Sequence, residues 1–147
     1  MITYYHRPQT LDEALKILAR PNTVPLGGGT LLSKPGADPL EAVDLQRLGL
    51  DTLRADRDEL QLGATLTLQA LLESDRCPGS LKRALKLEAP LNIRNAATVA
   101  GTLAACDGRS TFVTLLLAMD AKVEQAELEL SNIQDRKSTR LNSSHRL

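Results

Sequence analysis

The sequence has no tryptophan, one phenylalanine and two tyrosines. Tyr4, Tyr5 and Phe112 are too few to make a stacking platform for single-stranded nucleic acid, so the core must be aliphatic. Charge of one sign is also lacking: 18 Lys and Arg balance 18 Asp and Glu. A neutral chain without a basic stripe excludes nucleic acid as the main partner. The two cysteines, Cys77 and Cys106, fall short of the four thiolates of an iron–sulfur cluster or a Cys₄ zinc site. His6 and His145 lie at opposite ends and add no metal spacing, so both cysteines read as packing residues. No apolar run reaches the ~18–20 residues of a membrane span. The N-terminus MITYYHRPQT has no apolar h-region, so no secretory signal is expected and the cytoplasm is the default compartment. What is present is a 147-residue chain, 42% hydrophobic, the size of one ordinary domain or two small subdomains sharing a core.

Capping signals and periodicity predict the elements. Thr10-Leu-Asp-Glu13 is a capping box, and Leu11, Ala14, Leu15 and Leu18 follow it at helical spacing. Pro21 and Asn22 end that helix, and Thr23–Leu26 reads as a short buried strand. Ser33–Pro39 reads as a loop and Ala42–Leu45 as another strand. Thr52–Ala55 and Glu59–Gly63 read as a hairpin turning at Asp56-Arg57-Asp58. Thr65 or Thr67 caps a helix containing Leu68, Leu71 and Leu72, and Ser80–Glu88 forms the next. Lys82, Arg83 and Lys86 are expected on one exposed face of it. The small-residue stretch Asn95–Ala105 buries too little area to make a strong core element; its composition suits close approach of backbone to another group. Ser110 caps a helix over Thr111–Met119, with Phe112, Leu115, Leu116 and Met119 inward. Ala121–Glu124 and Glu127–Leu130 read as strands. Residues 135–147 lack periodicity and read as a disordered tail. Their words KSTRLNSSH resemble translated sequencing-adapter DNA, so the tail reads as non-native.

The chemistry lies in Val24–Lys34, VPLGGGTLLSK. Glycines permit positive φ and close approach, and successive amides in such a turn form a nest for an anion. The stretch fails as a P-loop, because Ser33 stands at the second glycine position and Pro35 follows Lys34. It fails as a Rossmann turn, because Leu32 stands at the third glycine position and Pro35 stops the helix. Two small-residue turns, here and at Asn95–Ala105, suggest a ligand with an extended anionic centre such as the pyrophosphate of a dinucleotide.

PLGGGTLLSKPG, AVDLQRL and LQLGATLTLQAL, followed by NIRNAATVAGTLAACDGRS and LLLAMDAKV, resemble the FAD-binding domain of molybdenum hydroxylases. That family includes xanthine dehydrogenase and the medium subunit of carbon monoxide dehydrogenase. The resemblance covers about residues 1–124. It implies an α+β, two-subdomain PCMH-type FAD-binding fold. A small N-terminal α/β subdomain occupies 1–50, and an incomplete second α+β subdomain occupies 51–134. It assigns the FAD pyrophosphate to Leu26, Gly27, Gly28, Gly29, Thr30, Leu31 and Leu32. It assigns the second turn to Thr98, Val99, Ala100, Gly101 and Thr102. Ala100 replaces the family's first glycine there and is strained if the backbone needs positive φ. Many relatives carry an Asp that contacts the flavin's ribityl side; counting places Thr111 there, with Asp107 as a substitute.

The resemblance further implies an electron-transfer role. Electrons pass from iron–sulfur clusters through FAD to NAD, a quinone or dioxygen. The implied partners are an iron–sulfur small subunit and a molybdopterin-binding large subunit, in a hetero-oligomer. No side chain reads as an acid, base or nucleophile, which fits a site where the cofactor carries the chemistry. Arg94 reads as a structural arginine on loop carbonyls, Asp44 as a loop cap, Lys34 as solvated, and His6 as without a partner. The family's domain continues beyond this length, so the chain is expected to be a fragment, inactive alone and weak in FAD binding. Two other readings stand beside this one. One is a non-catalytic anion-binding or subunit-interaction module that has lost flavin. The other is an oxidase of the wider vanillyl-alcohol-oxidase-like superfamily, with His6 or Cys106 as a covalent anchor.

Overall fold

The computed structural model describes residues 1–32, 38–57, 59–106 and 108–126. The expected strand at Glu127–Leu130, the tail 135–147, Lys34 and Asp107 lie outside them.

The first 45 residues build a three-stranded parallel sheet. Its strands are β1 (Ile2–His6), β2 (Thr23–Leu26) and β3 (Leu40–Asp44), in the order β1-β3-β2. The sequence left β1 unassigned because it shows no apolar alternation: four of its five residues are exposed. The central strand is the buried one, with Ala42 and Val43 fully enclosed. Helix α1 (Leu11–Leu18) covers this sheet, packing Ala14 and Ile17 on Val43. Its start follows from the capping box: the Glu13 amide donates to Thr10 Oγ1 at 3.2 Å. The Glu13 carboxylate in turn accepts from the Gln9 amide at 2.8 Å. An edge position lets β2 carry Pro25 without breaking a ladder.

A hairpin follows, β4 (Leu53–Asp56) against β5 (Glu59–Leu62), with Leu53 opposite Leu62 and Ala55 opposite Leu60. Five helices then make a second core: α2 (Leu68–Glu73), α3 (Gly79–Glu88), α4 (Leu91–Arg94), α5 (Val99–Ala104) and α6 (Thr111–Ala118). Leu68, Leu71, Leu81, Leu85 and Phe112 are fully buried there, each worth about 1.5–3 kcal/mol in apolar burial. Thr67 and Ser110 cap α2 and α6 through their side-chain oxygens, as their sequence positions predict.

The small-residue stretch, expected to make no strong core element, forms the short helix α5, of whose residues Val99 is the buried one. Three expectations are corrected. Residues 121–126 form no strand. Met119 is 45% exposed rather than inward, because α6 ends at Ala118 and the chain turns at Asp120 with φ 54°. His6 is partnered: its Nε2 lies 2.7 Å from a Glu41 carboxylate oxygen, joining β1 to β3.

Candidate functional site

Strand β2 runs into the glycine turn, and a chain of hydrogen bonds fixes its root. Tyr5 OH donates to Asp44 Oδ2 at 2.5 Å, and the Gln46 amide donates to Asp44 Oδ1 at 2.9 Å. Gln46 Nε2 then donates to Gly27 O at 3.0 Å. Asp44 is thus the loop cap that its position suggested, buried at 6% exposure. The Asp44 bond, aided by burial, pushes the Tyr5 phenol above its ordinary pKa, while Arg7 pulls it down.

Gly27 and Gly28 meet the second small-residue stretch along a seam. A Cβ on Gly28 would stand 1.5 Å from Ala96 O, and one on Gly27 would stand 2.8 Å from Thr98 Oγ1. At Gly28 only a glycine lets the two backbones touch, whereas Gly27 makes room for the Thr98 side chain. Gly29 holds φ +69° and turns the chain away. The two stretches assigned to one ligand are therefore adjacent.

Their donors differ. In the second turn the Val99 amide donates to Leu66 O, the Ala100 amide to Ala64 O, and the Gly101 amide to Thr98 Oγ1. These groups are already engaged. Among the described residues no backbone acceptor is bonded by the amides of Gly27, Gly28 and Thr30, which leaves them open to an anion. Ala100 is helical and not among the residues with positive φ, so alanine carries no strain there.

A cavity opens on each side of the seam. The larger, about 500 Å³, is lined by Gly27, Gly28, Gln46, Asp51, Thr65, Leu66, Thr67, Ala70, Asn95, Ala96 and Thr98. The smaller, about 310 Å³, takes Thr30, Leu31, Gly101 and Thr102 in its wall, together with Leu68, Glu88, Ile93, Ala97, Cys106 and Arg109. Leu26, Gly29, Leu32, Val99, Ala100 and Thr111 line neither cavity. The Thr111 hydroxyl lies within 3.0 Å of Ala84 O and 3.1 Å of Glu88 Oε2. Glu88 Oε2 also accepts from Ser110 Oγ and from the Phe112 amide, both at 2.9 Å. Glu88 thereby ties α3 to the start of α6 from the wall of the smaller cavity.

Arg94 bonds Ala89 O at 2.5 Å and Gln69 Oε1 at 2.9 Å, which bears out its structural reading. Cys77 is buried, and burial pushes its thiol pKa up against the pull of Lys82. Cys106 is exposed and lines the smaller cavity, so it is not the packing residue expected. Among the described residues no group of three or more His, Cys, Asp or Glu could hold a metal. No helix among them is long and apolar enough to cross a membrane.

Sequence reasoning missed Gln46, Asp51, Thr65 and Glu88. Thr65 is 7% exposed, and its Oγ1 is the buried side-chain polar atom with no hydrogen-bond partner among the described residues. Such an orphan costs about 1–3 kcal/mol. The run GATLT after β5, small and hydroxylated like the other two turns, was the signal for it. The amides of Gly27 and Gly28, without a backbone acceptor among the described residues, belong to residues that line the larger cavity and fit a cofactor that carries a diphosphate.

Comparison with known proteins gives the same direction. A family model described as the FAD binding domain in molybdopterin dehydrogenase matches residues 1–135. The uncharacterized protein YgfM of Escherichia coli is 32% identical over 139 residues, covering 92% of this chain and 54% of the relative. The chain thus spans about half the length of that curated relative. A crystal structure of the Cu,Mo-CO dehydrogenase in its cyanide-inactivated form matches with TM-score 0.72 at 28% identity, over 82% of this chain and 46% of that one. Reconstituted CO dehydrogenase from Oligotropha carboxidovorans matches with TM-score 0.71 at 28% identity, over 80% of this chain and 44% of that one.

Proposed function

The chain belongs to the family of FAD-binding domains in molybdopterin dehydrogenases, and from that premise we propose that it relays electrons within a molybdenum hydroxylase. Its cofactor is FAD. In this reading, FAD takes electrons from iron–sulfur clusters and gives them to NAD, a quinone or dioxygen. The clusters and the molybdopterin sit on separate small and large subunits in the cytoplasm. Bound FAD supplies the redox chemistry through its isoalloxazine ring.

The residues of this chain bind and orient. The amides of Gly27, Gly28 and Thr30, without a backbone acceptor among the described residues, are the donors proposed for the diphosphate, and hydrogen bonds to a charged group contribute about 1.5–3 kcal/mol each. Thr98 holds the second turn against the first, and the bond from Gln46 Nε2 to Gly27 O holds the first turn in place. The apolar side chains of Leu31, Leu68 and Ile93 in the wall of the smaller cavity would offer a surface to a flat ring. The electron-relay role needs no acid or base from the protein.

The observation that carries this reading is the seam between Gly27–Gly28 and Ala96–Thr98. Titration of the purified chain with FAD, followed by flavin fluorescence and by isothermal calorimetry, tests it. Weak but saturable binding, with yellow colour released to the supernatant on acid precipitation, is expected. Colour retained in the pellet would instead indicate a covalent flavin. No binding at millimolar FAD would point to a module without flavin and overturn the proposal.

A further inference from the structure

We propose that the solvent face of α3, formed by Lys82, Arg83, Lys86 and Leu87, is a docking surface for an acidic protein partner. The inference goes beyond the flavin reading and needs no bound cofactor.

Helix α3 buries one face in the second core through Leu81, Ala84 and Leu85. At about 100° per residue, the opposite face presents Lys82, Lys86, Arg83 and Leu87 side by side. Lys86, Arg83 and Leu87 are exposed and Lys82 is half-buried; Leu87 reaches 76% exposure. No carboxylate of the helix balances these cations. Its one acidic residue, Glu88, is held by Ser110 Oγ, Thr111 Oγ1 and the Phe112 amide. Lys82, Arg83 and Lys86 make no ion pair among the described residues. The arrangement works against the free chain. Lys82 and Lys86 repel each other at i, i+4, and Lys82 stands in the first turn, where the helix dipole disfavours a cation. A face built for solubility alone mixes both signs, as α1 does with Lys16 and Asp12 at 2.6 Å.

Charge complementarity selects the occupant. Carboxylates set around an apolar patch would neutralise the cations and cover Leu87, the polar rim and apolar centre of a protein interface. A lipid surface fits less well. An amphipathic helix sinks its apolar face into the bilayer boundary, and α3 has that face in the core. Three cations and one leucine would hold a vesicle at about millimolar strength only. Nucleic acid offers nothing to Leu87, and α3 carries no aromatic ring on which a base could stack.

The test titrates the full chain with two short synthetic peptides, one of glutamate alone and one of glutamate and leucine. Phosphatidylserine vesicles and duplex DNA are run beside them. The parent chain should prefer the glutamate–leucine peptide, and binding of both peptides should weaken as salt rises. Arg83→Glu combined with Lys86→Glu should lower both peptide affinities at least about 10-fold and leave the melting temperature within a few degrees. Leu87→Ser should erase the preference for the leucine-containing peptide and spare the other. Arg20→Glu combined with Lys122→Glu makes the same charge change elsewhere on the surface and should leave both affinities as they are. Equal losses in the two charge variants would reduce the effect to net charge and overturn the proposal. So would unchanged affinity in the α3 charge variant, or an unchanged leucine preference in Leu87→Ser. Tighter binding to vesicles or DNA than to either peptide, or no peptide binding by the folded parent chain, overturns it as well. A parent dimer dissolved by the α3 variants would assign the face to a second copy and overturn it too.

Discussion

Replacing Gly28 by alanine adds one methyl group at the most crowded point of the molecule. The new Cβ would lie 1.5 Å from Ala96 O and 2.4 Å from Ala96 C, whereas ordinary contact begins at 3.4 Å. Both neighbours are backbone, so no side chain can rotate away. The Ala96 peptide must retreat by about 2 Å in an interior packed like a molecular crystal. It cannot do so freely, since the Ala96 and Ala97 amides both donate to Ile93 O and Ala97 O accepts from the Leu68 amide. Overpacking costs about 1–3 kcal/mol, and more where backbone must move. A loss of about 3 kcal/mol corresponds to a melting temperature about 10 °C lower for a chain of this size. The control is Gly79→Ala. A Cβ there meets nothing within 4 Å, and the substitution should be neutral or raise stability by less than about 1 kcal/mol. Urea denaturation gives the stability of each variant, and a thermal scan with and without FAD gives the ligand response. For the parent chain, FAD at a hundredfold excess over its dissociation constant should add about 2.7 kcal/mol. Gly28→Ala should lose most of that gain because its seam is spread. Equal stability and equal FAD response in Gly28→Ala and the parent would refute the close contact on which the site is built.

Three further outcomes follow from named contacts. Glu88→Ala leaves Ser110 Oγ, Thr111 Oγ1 and the Phe112 amide without their carboxylate, and should cost about 2–3 kcal/mol in urea denaturation. Tyr5 should form its tyrosinate above the usual tyrosine range in an ultraviolet titration read against Tyr5→Phe, and Asp44→Asn should bring it down. Since the folded value is the higher one, the stability linked to Tyr5 is complete below the unfolded tyrosine pKa and is lost as pH rises through the folded value. A maleimide reagent should modify exposed Cys106 within minutes and reach buried Cys77 only on unfolding, and bound FAD should slow the Cys106 reaction.

Local signals gave the sequence reading its accurate parts. Thr10, Thr67 and Ser110 are caps because a hydroxyl three residues before a helical amide suffices to start a helix, and that relation is written in consecutive residues. The hairpin likewise needs only two apolar runs and a polar turn. Helix α5 was missed because its start depends on carbonyls of Ala64 and Leu66, which accept from Ala100 and Val99 across the chain. Strand β1 was missed because its burial comes from one neighbour and it has no apolar face of its own. The glycine turn was legible as an anion nest and its pairing with the stretch Asn95–Ala105 as a shared ligand site, but the direct contact of Gly28 with Ala96 O is seen only in the fold. Asp51 and Glu88 carry no local pattern, and the GATLT run marks Thr65 only as one more small, hydroxylated turn. An unpartnered hydroxyl is a property of the folded surroundings, which no window of sequence displays.

The strand order has a consequence for biosynthesis. Strand β3 sits between β1 and β2 but is translated after both. On the ribosome, the first two strands emerge with no partner to pair with until Leu40–Asp44 has cleared the exit tunnel. Pairing across such gaps is slow, because chain closure precedes the contacts that reward it. The glycine turn waits longer still, since Ala96 belongs to the second core. Flavin loading is thus a late event in the life of the polypeptide, and nascent chains ending before Ala96 should leave the exit tunnel colourless.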